Sequence, residues 1–220
     1  TNLSDIEHFD VASKEGEKFR QKFPWLTNHP LVVYTGAFGR INGLSYLIEM
    51  ALEIKKINKD VRFLLAGDGY ERDQLSHLAK KYGILNQTLF FINYLPKDQM
   101  PALLSAATVT TSFFIDLPEM ENNSANKFFD ALAAGRPIMI NYGGWQADLL
   151  HETKAGLVVP TDDPRTAAEH LNILISDQAA LSKMGTASKC LAAQFDVETC
   201  FKLFAKSIDT AYDIHKNNIS

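Results

Sequence analysis

The segment 122–136 carries the residues whose types and spacing are best suited to chemistry. It reads NNSANKFFDALAAGR and places an amide-rich turn directly before a helix with Lys127 and Asp130 in its first two turns. Free backbone N–H groups at a helix N-terminus bind phosphate, and a lysine adds a compact positive charge. A carboxylate three residues later lies on the same helix face, where it can accept hydrogen bonds from ribose hydroxyls. The segment therefore predicts a site for a nucleotide-linked sugar.

Short apolar runs alternate with longer stretches of helical period along the chain. The runs predict six strands, at 31–35, 61–66, 89–92, 107–111, 137–140 and 156–159. Helical periods predict helices at 44–57, 71–82, 98–105, 124–134, 145–151, 164–175, 179–193 and 197–215. This alternation predicts an α/β, Rossmann-like, doubly wound parallel six-stranded sheet with extra C-terminal helices.

The two ends of the chain differ from this central pattern. Residues 1–23 are polar and charged, and Pro24 and Pro30 disfavour helix at the residues before them. We interpret 1–30 as an interdomain linker or N-terminal arm, 31–195 as the Rossmann-like donor-binding domain and 196–220 as a C-terminal helix. The last helix carries an apolar stripe that most simply packs on its own domain. The stripe comprises Phe201, Phe204, Ile208, Ala211 and Tyr212.

The loop after the first predicted strand is a second candidate for ligand binding, because ligands of open parallel sheets bind at the carboxyl ends of the strands. Gly36, Gly39 and Gly43 permit close backbone approach, and Arg40 and Asn42 offer donors near the next helix. The spacing departs from the dinucleotide fingerprint G-x-G-x-x-G. Glycines needed merely to turn a strand into a helix remain an equal alternative.

The loops after the third and fourth strands add further polar groups. Asn93 and Tyr94 place an amide and an aromatic ring where a flat base could be read and stacked, with a core position for Tyr94 as the alternative. Asp116, Glu119 and Glu121 follow the fourth strand. Three acids exceed what turn formation alone requires.

Composition excludes several classes of protein. The formal net charge is −4 and Lys and Arg form no run, so the sequence does not predict a nucleic-acid binder. Cys190 and Cys200 form no C-x-x-C pair, which argues against a disulfide scaffold or a zinc site and favours a reducing cytosol. No apolar run approaches the roughly 20 residues of a membrane-spanning helix. The start of the given sequence shows no signal-peptide pattern.

These motifs, taken in order, resemble a known family over almost the whole chain. The segment from Asn2 to Phe9 looks like an interdomain N-G-x-D…F motif, 36–43 like a G-R-L…K-G loop, and 63–69 like a second-strand signature. The segment 112–160 is similar to an E-x7-E region, an A-A-G-R-P strand entry and a terminal A-G-L-V-V-P. The chain thus resembles the C-terminal, nucleotide-sugar-binding half of a GT-B glycosyltransferase of the retaining family 4 type.

The motifs N-S-x-N-K-F-F-D and N-Y-G-G-W look like a subgroup that transfers N-acetylated amino sugars, such as fucosamine, in bacterial surface polysaccharide synthesis, including capsule and O-antigen. The resemblance implies transfer from a UDP-sugar, with retained configuration and no cofactor or metal, to a polysaccharide or lipid-linked acceptor. It implies an N-terminal acceptor-binding domain as partner, so we expect this chain alone to be inactive. It also implies a cytoplasmic location, with peripheral association of the full-length enzyme at the inner face of the plasma membrane as a further option.

Departures from the family pattern affect its two carboxylates. They lie eight positions apart, where this chain has Asn122 and Asp130. The resemblance implies that Asp130 keeps the ribose role. The donor-sugar role falls to Asn122 or to a displaced Glu121 or Glu119, and the sequence leaves this choice open.

The family's phosphate-binding Arg and Lys are also replaced, by Ala37 and Asn42, which leaves Arg40 and Lys127 as the cations. We expect Lys127 to be the main one. Glu121 and Asn122 are the catalytic candidates. The predicted donor-binding set is Gly36, Gly39, Arg40, Asn42, Gly43, Asn93, Tyr94, Asn123, Ser124, Ala125, Asn126, Lys127 and Asp130.

Two other functions remain open at this level. One is a sugar-nucleotide epimerase built from a similar GT-B half, which would rearrange the sugar without an acceptor. The other is a non-catalytic α/β binding module, which would need acidic residues at the end of the first strand. That position holds Gly36, Phe38 and Gly39 instead.

Overall fold

A computed structural model describes residues 3–10 and 13–217, so Asn2 of the interdomain motif lies outside the described residues. The strands are β1 Leu31–Thr35, β2 Arg62–Ala66, β3 Leu89–Ile92, β4 Val109–Ser112, β5 Ile138–Ile140 and β6 Gly156–Val158. They form one parallel sheet in the order β3-β2-β1-β4-β5-β6, which confirms the predicted doubly wound fold. The strand order reverses between β1 and β4, and such a switch point is where open α/β sheets bind ligands.

The helices flank this sheet, and those predicted from periodicity occur within two residues of their expected bounds. In chain order they are α1 Ile6–Phe9, α2 Ser13–Gln21, α3 Leu44–Ile57, α4 Arg72–Lys81, α5 Met100–Ala106, α6 Asn126–Ala133, α7 Trp145–Thr153, α8 Pro164–Ser176, α9 Gln178–Ala192 and α10 Val197–Asn217.

Strand β1 is buried on both faces, as expected of a central parallel strand. Val32 and Tyr34 pack into a core cluster with α3 and α8, whereas Leu31 and Val33 pack into a second cluster with α2 and α5. Since both faces are covered, the sheet presents only its ends to a ligand.

The N-terminal segment packs on the domain and contains α1 and α2, neither of which the sequence analysis predicted. Phe19 and Leu26 are buried in the core. Gly16 lets α2 approach α5 closely, because a Cβ atom there would lie 2.5 Å from the carbonyl carbon of Ser105. The backbone of Ser4 also hydrogen-bonds to Phe195 and Val197, which ties this segment to the start of α10.

The prediction that the apolar stripe of α10 packs on its own domain is wrong for the described side chains. Phe201 is 69% exposed, Phe204 64% and Ile208 54%. The side chains of Ala211 and Tyr212 lie outside the described part of the chain. Within residues 3–10 and 13–217, no helix is both long and apolar enough to cross a bilayer.

Candidate functional site

A cleft of about 570 Å³ lies at the switch point between β1 and β4. It collects residues from the carboxyl end of β1, the loop after β3, the start of α6 and the N-terminal segment. Six residues of the predicted donor-binding set line it: Gly36, Tyr94, Ala125, Asn126, Lys127 and Asp130. The structure therefore brings Lys127 and Asp130 to one crevice.

The first turn of α6 opens on this cleft through Asn126 and Lys127. No side chain caps the helix at Ala125, and its first turn contains no acidic residue. The side chain of Asn123 supports the preceding turn, since its Oδ1 accepts the N–H of Ala125 at 3.3 Å. An uncapped helix N-terminus without a carboxylate presents unpaired N–H groups and a partial positive charge to an anion.

Lys127 is held in a polar and aromatic cage. Its Nζ donates to Oδ1 of Asn42 at 2.6 Å and to the hydroxyl of Tyr34 at 3.4 Å. The same nitrogen lies 4.8 Å from the ring centroid of Tyr34 and 4.9 Å from that of Phe114. The hydroxyl of Tyr34 in turn donates to the carbonyl of Ala37 at 2.8 Å. The cage fixes the amine at the cleft wall without supplying a negative charge.

No carboxylate of the described residues forms an ion pair with Lys127. Burial lowers the pKa of Lys127 to about 8, because desolvation disfavours the ammonium form. A bound anion would restore the missing counter-charge and raise this pKa. The site is therefore electrostatically incomplete without an anionic ligand.

Asp130 lies one turn further along α6 on the same wall of the cleft. Burial raises its pKa to about 6, and the charges of Lys97 and His8 oppose that rise while Asp5 adds to it. Nζ of Lys97 lies 3.7 Å from a carboxylate oxygen of Asp5, and its carbonyl contacts Nε2 of His8 at 3.1 Å. Above about pH 6 Asp130 is an ionised acceptor in a partly dry site.

Of the loop after β1, only Gly36 lines the cleft among the described residues, and Asn42 contributes through its hydrogen bond with Lys127. Gly43 takes a left-handed backbone with φ 54°, and a Cβ there would lie 2.9 Å from the Phe114 backbone. This close approach brings Asn42 within reach of Lys127. Gly39 and Arg40 do not line the cleft, and Arg40 is exposed on the 3₁₀ turn Arg40–Asn42.

The two catalytic candidates lie just outside the cleft lining. Glu121 and Asn122 are exposed on the 3₁₀ turn Pro118–Asn122, which leads into α6. Glu121 lies against the Gly143–Gly144 loop after β5. Asn123 stabilises the same turn, since its carbonyl accepts the indole N–H of Trp145 at 3.0 Å.

Of the predicted base-reading residues, Tyr94 lines the cleft with 69% of its surface exposed, which excludes the alternative that it is a core residue. Asn93 is exposed beside it. Ser124 lies in the turn between Asn123 and α6, half-buried.

Sequence reasoning missed several residues around the two key side chains. Tyr34 and Phe114 enclose Lys127, and Lys97 and His8 lie near Asp130. Lys97 could have been found, because it directly follows the loop after β3. Tyr34 could not, because β1 is apolar throughout and offers no alternation to single out a cleft-facing residue.

Comparison with protein families gives a match to the model described as "Glycosyl transferases group 1" over residues 15–190. The 2-deoxystreptamine glucosyltransferase of Streptomyces kanamyceticus is 21% identical over 88% of this chain and 49% of its own length. The alpha-D-kanosaminyltransferase of the same organism is 23% identical over 80% of this chain and 43% of its own length. The chain thus spans about half the length of the curated relatives it matches.

Solved structures share the fold. Anabaena Alr3699/HepE in complex with UDP superposes with a TM-score of 0.82 at 18% identity, over 94% of this chain and 55% of that one. The C-terminal domain of a glycosyl transferase group 1 family protein from Francisella tularensis superposes with a TM-score of 0.72 at 17% identity. That match covers 88% of this chain and 98% of the other.

Proposed function

The chain belongs to the group 1 family of glycosyl transferases, and from that premise we propose that it is the donor-binding half of an enzyme that transfers a sugar from a UDP-sugar. Lys127 and the first turn of α6 hold the diphosphate, and Asp130 accepts hydrogen bonds from the ribose hydroxyls. The observation that carries this proposal is the shared cleft of Lys127 and Asp130 at the switch point of the sheet.

The charges at the start of α6 support this role. The Lys127 ammonium and the open helix end both lack an anionic partner among the described residues. A diphosphate carries negative charge on both phosphates, and charge-assisted hydrogen bonds of this kind contribute about 1.5–3 kcal/mol each. As the sugar leaves, further charge develops on the β-phosphate, and the same groups stabilise it.

Calorimetric titration with UDP tests the proposal. Replacing Lys127→Met keeps the side-chain length and removes the charge, so we expect UDP affinity to fall about 10- to 100-fold. Lys80→Met removes an equal charge from an exposed position on α4 and should leave UDP affinity unchanged. Equal UDP affinity of the Lys127→Met variant and the wild type would refute the assignment. GDP and ADP titrations identify the nucleotide.

We further propose that the sugar is an N-acetylated amino sugar of the fucosamine type, destined for a cell-surface polysaccharide and transferred with retained configuration. The exposed turn with Glu121 and Asn122 adjoins the start of α6 and would contact the sugar. Calorimetry with UDP-N-acetylglucosamine and UDP-glucose tests the class: Glu121→Gln and Asn122→Ala should lower affinity for the amino sugar but not for UDP. Equal loss of affinity for UDP and for the UDP-sugars would show that neither residue contacts the sugar.

The acceptor half is the proposed partner of α10. The backbone of Ser4 is hydrogen-bonded to Phe195 and Val197, so a preceding domain would enter beside the exposed stripe of α10. We therefore expect the 220-residue chain to bind UDP but to transfer no sugar. Phe204→Ser should leave its free energy of unfolding within about 0.5 kcal/mol, yet lower the stability of the full-length enzyme. Phe129→Ser, at a buried position, should unfold both proteins.

We propose that the full-length enzyme acts at the inner face of the plasma membrane, because a lipid-linked acceptor would be held there. Fractionation of cells that express the full-length enzyme tests it. Recovery of the enzyme in the cytosolic fraction alone, at low ionic strength, would argue against membrane association.

A further inference from the structure

A second groove, of about 700 Å³, lies at the opposite end of the sheet from the donor cleft. Its lining includes Thr108 and Pro137, the residues that precede β4 and β5. Helix α2, the C-terminus of α5 and one face of α9 complete it. The groove contains two arginines, Arg20 and Arg136, which the donor site does not use.

Both arginines bond to neutral groups only. Arg20 donates to the carbonyl of Ala106 at 3.0 and 2.6 Å and to the carbonyl of His29 at 2.8 Å. Arg136 donates from Nη2 to the carbonyl and hydroxyl of Ser105. The Nε atom of Arg136 is buried and has no partner among the described residues. This donor is buried within the protein, so it adds a desolvation cost to Arg136 and is not open to a ligand in the groove.

The simplest explanation is that these arginines only cap the C-terminus of α5. The helix end does not balance the charge of the two arginines. A helix C-terminus presents roughly half a negative charge, whereas the two guanidinium groups carry two full positive charges. Burial lowers the pKa of both, and the charge of Arg20 lowers that of Arg136 further. Like charges thus share a partly dry groove without a full counter-charge.

The remaining charged groups of the groove do not compensate. Lys189 adds a third cation at the rim, where it pairs with Asp10 at 2.6 Å. Glu17 also lines the groove, but it forms no ion pair with either arginine within the described residues. The two arginines therefore have no carboxylate partner in the groove among the described residues.

We propose that this groove binds the phosphate group of a small phosphorylated metabolite. Arg136 is the main phosphate ligand, because its Nη1 makes no hydrogen bond among the described residues, whereas Arg20 already donates to the carbonyls of Ala106, Thr27 and His29. The volume falls within the range of small-molecule sites, about 300–1,000 Å³, so the groove has room for more than the phosphate. Gln178, Ser182 and Thr186 lie four residues apart on the groove face of α9 and offer polar groups to the remainder of the ligand.

The proposal is tested by calorimetry on the 220-residue chain with glycerol 3-phosphate as probe. Saturating UDP fills the donor cleft, and sodium chloride at matched ionic strength controls for screening. We expect saturable binding that Arg136→Gln weakens at least tenfold and Glu17→Gln strengthens. Lys183→Ala removes an exposed cation from α9 outside the groove lining and should leave binding unchanged.

Other outcomes would overturn the proposal. Absence of saturable binding to the wild type, or equal loss in Lys183→Ala and Arg136→Gln, means that no groove site exists. If inorganic phosphate binds as tightly as glycerol 3-phosphate, the groove recognises free phosphate and not a phosphorylated metabolite. If Arg136→Gln does not fold, Arg136→Lys keeps one charge without the paired donors, and undiminished binding to that variant would equally refute the assignment.

Discussion

Half-buried cations lie at both ends of the sheet, and they differ in which end of a helix they contact. Lys127 occupies the first turn of α6, the positive end of that helix. Arg20 and Arg136 bond the last carbonyls of α5, the negative end of that one. The helix dipole therefore opposes the lysine and supports the arginines, by about 0.3–1 kcal/mol in each case. At the cleft, the position of the lysine thus costs the free protein stability, whereas the groove end is partly self-supporting.

The largest effect is expected from removing the charge of Lys127, which the dipole of α6 opposes. Lys127→Met should raise the free energy of unfolding of the unliganded chain by about 1 kcal/mol, while UDP affinity falls about 10- to 100-fold. Urea denaturation and calorimetry on the same preparations measure both quantities. A destabilised variant with intact UDP binding would mean that Lys127 is a structural residue.

The affinity for UDP should depend on pH through both Asp130 and Lys127. Asp130 has a pKa of about 6 in the free protein, so affinity should fall below that pH as the acceptor becomes protonated. Lys127 has a pKa of about 8, and phosphate binding needs its ammonium form, so affinity should also fall above that pH. Asp130→Asn should reduce the acid limb to the part caused by protonation of the terminal phosphate of UDP, which has a second pKa of about 6, and should lower affinity about tenfold at neutral pH. An affinity that is flat from pH 5 to 9 would contradict both assignments.

The groove end should respond to charge removal with the opposite sign. Arg136→Gln loses the bonds to Ser105 and the favourable dipole interaction, so we expect the free energy of unfolding to fall by about 1 kcal/mol. UDP affinity should not change. Urea denaturation at low and high salt measures the effect, and a variant more stable than the wild type would show that the arginines repel more than the helix end attracts.

The smallest expected effect concerns Lys97. Its pair with Asp5 is largely exposed, so Lys97→Ala should alter the free energy of unfolding by less than about 0.5 kcal/mol. The charge of Lys97 lowers the pKa of Asp130, so its removal should move the acid limb of UDP binding to higher pH. Calorimetry between pH 5 and 7 measures the shift, with Lys80→Ala as the control. If the acid limb of the pH dependence does not move, the charge of Lys97 does not affect Asp130.

The central strands and helices were predictable because their apolar spacing is local. Leu44–Ile57 and Leu89–Ile92 have the bounds that periodicity alone indicated. Helix α2 was not predictable, because SKEGEKFRQ contains one large apolar residue and its position depends on the contact of Gly16 with α5.

The candidate site was predictable in its core and not in its surroundings. Lys127 and Asp130 could be paired because they share one helix face. Their environment could not, because Tyr34, Asn42 and Phe114 come from separate parts of the chain and meet only in the folded sheet. The exposed stripe of α10 was misread because periodicity identifies an apolar face and not what covers it.

The lowered pKa of the caged lysine also makes it a chemical handle. At pH 7 an amine with a pKa of about 8 is roughly one-tenth free base, whereas an ordinary lysine is free base only in a few parts per ten thousand. Mild acylating reagents should therefore modify Lys127 ahead of the surface lysines, and nucleotide in the cleft should shield it. Mass spectrometry of the labelled peptide would then report donor occupancy before the transferred sugar is known.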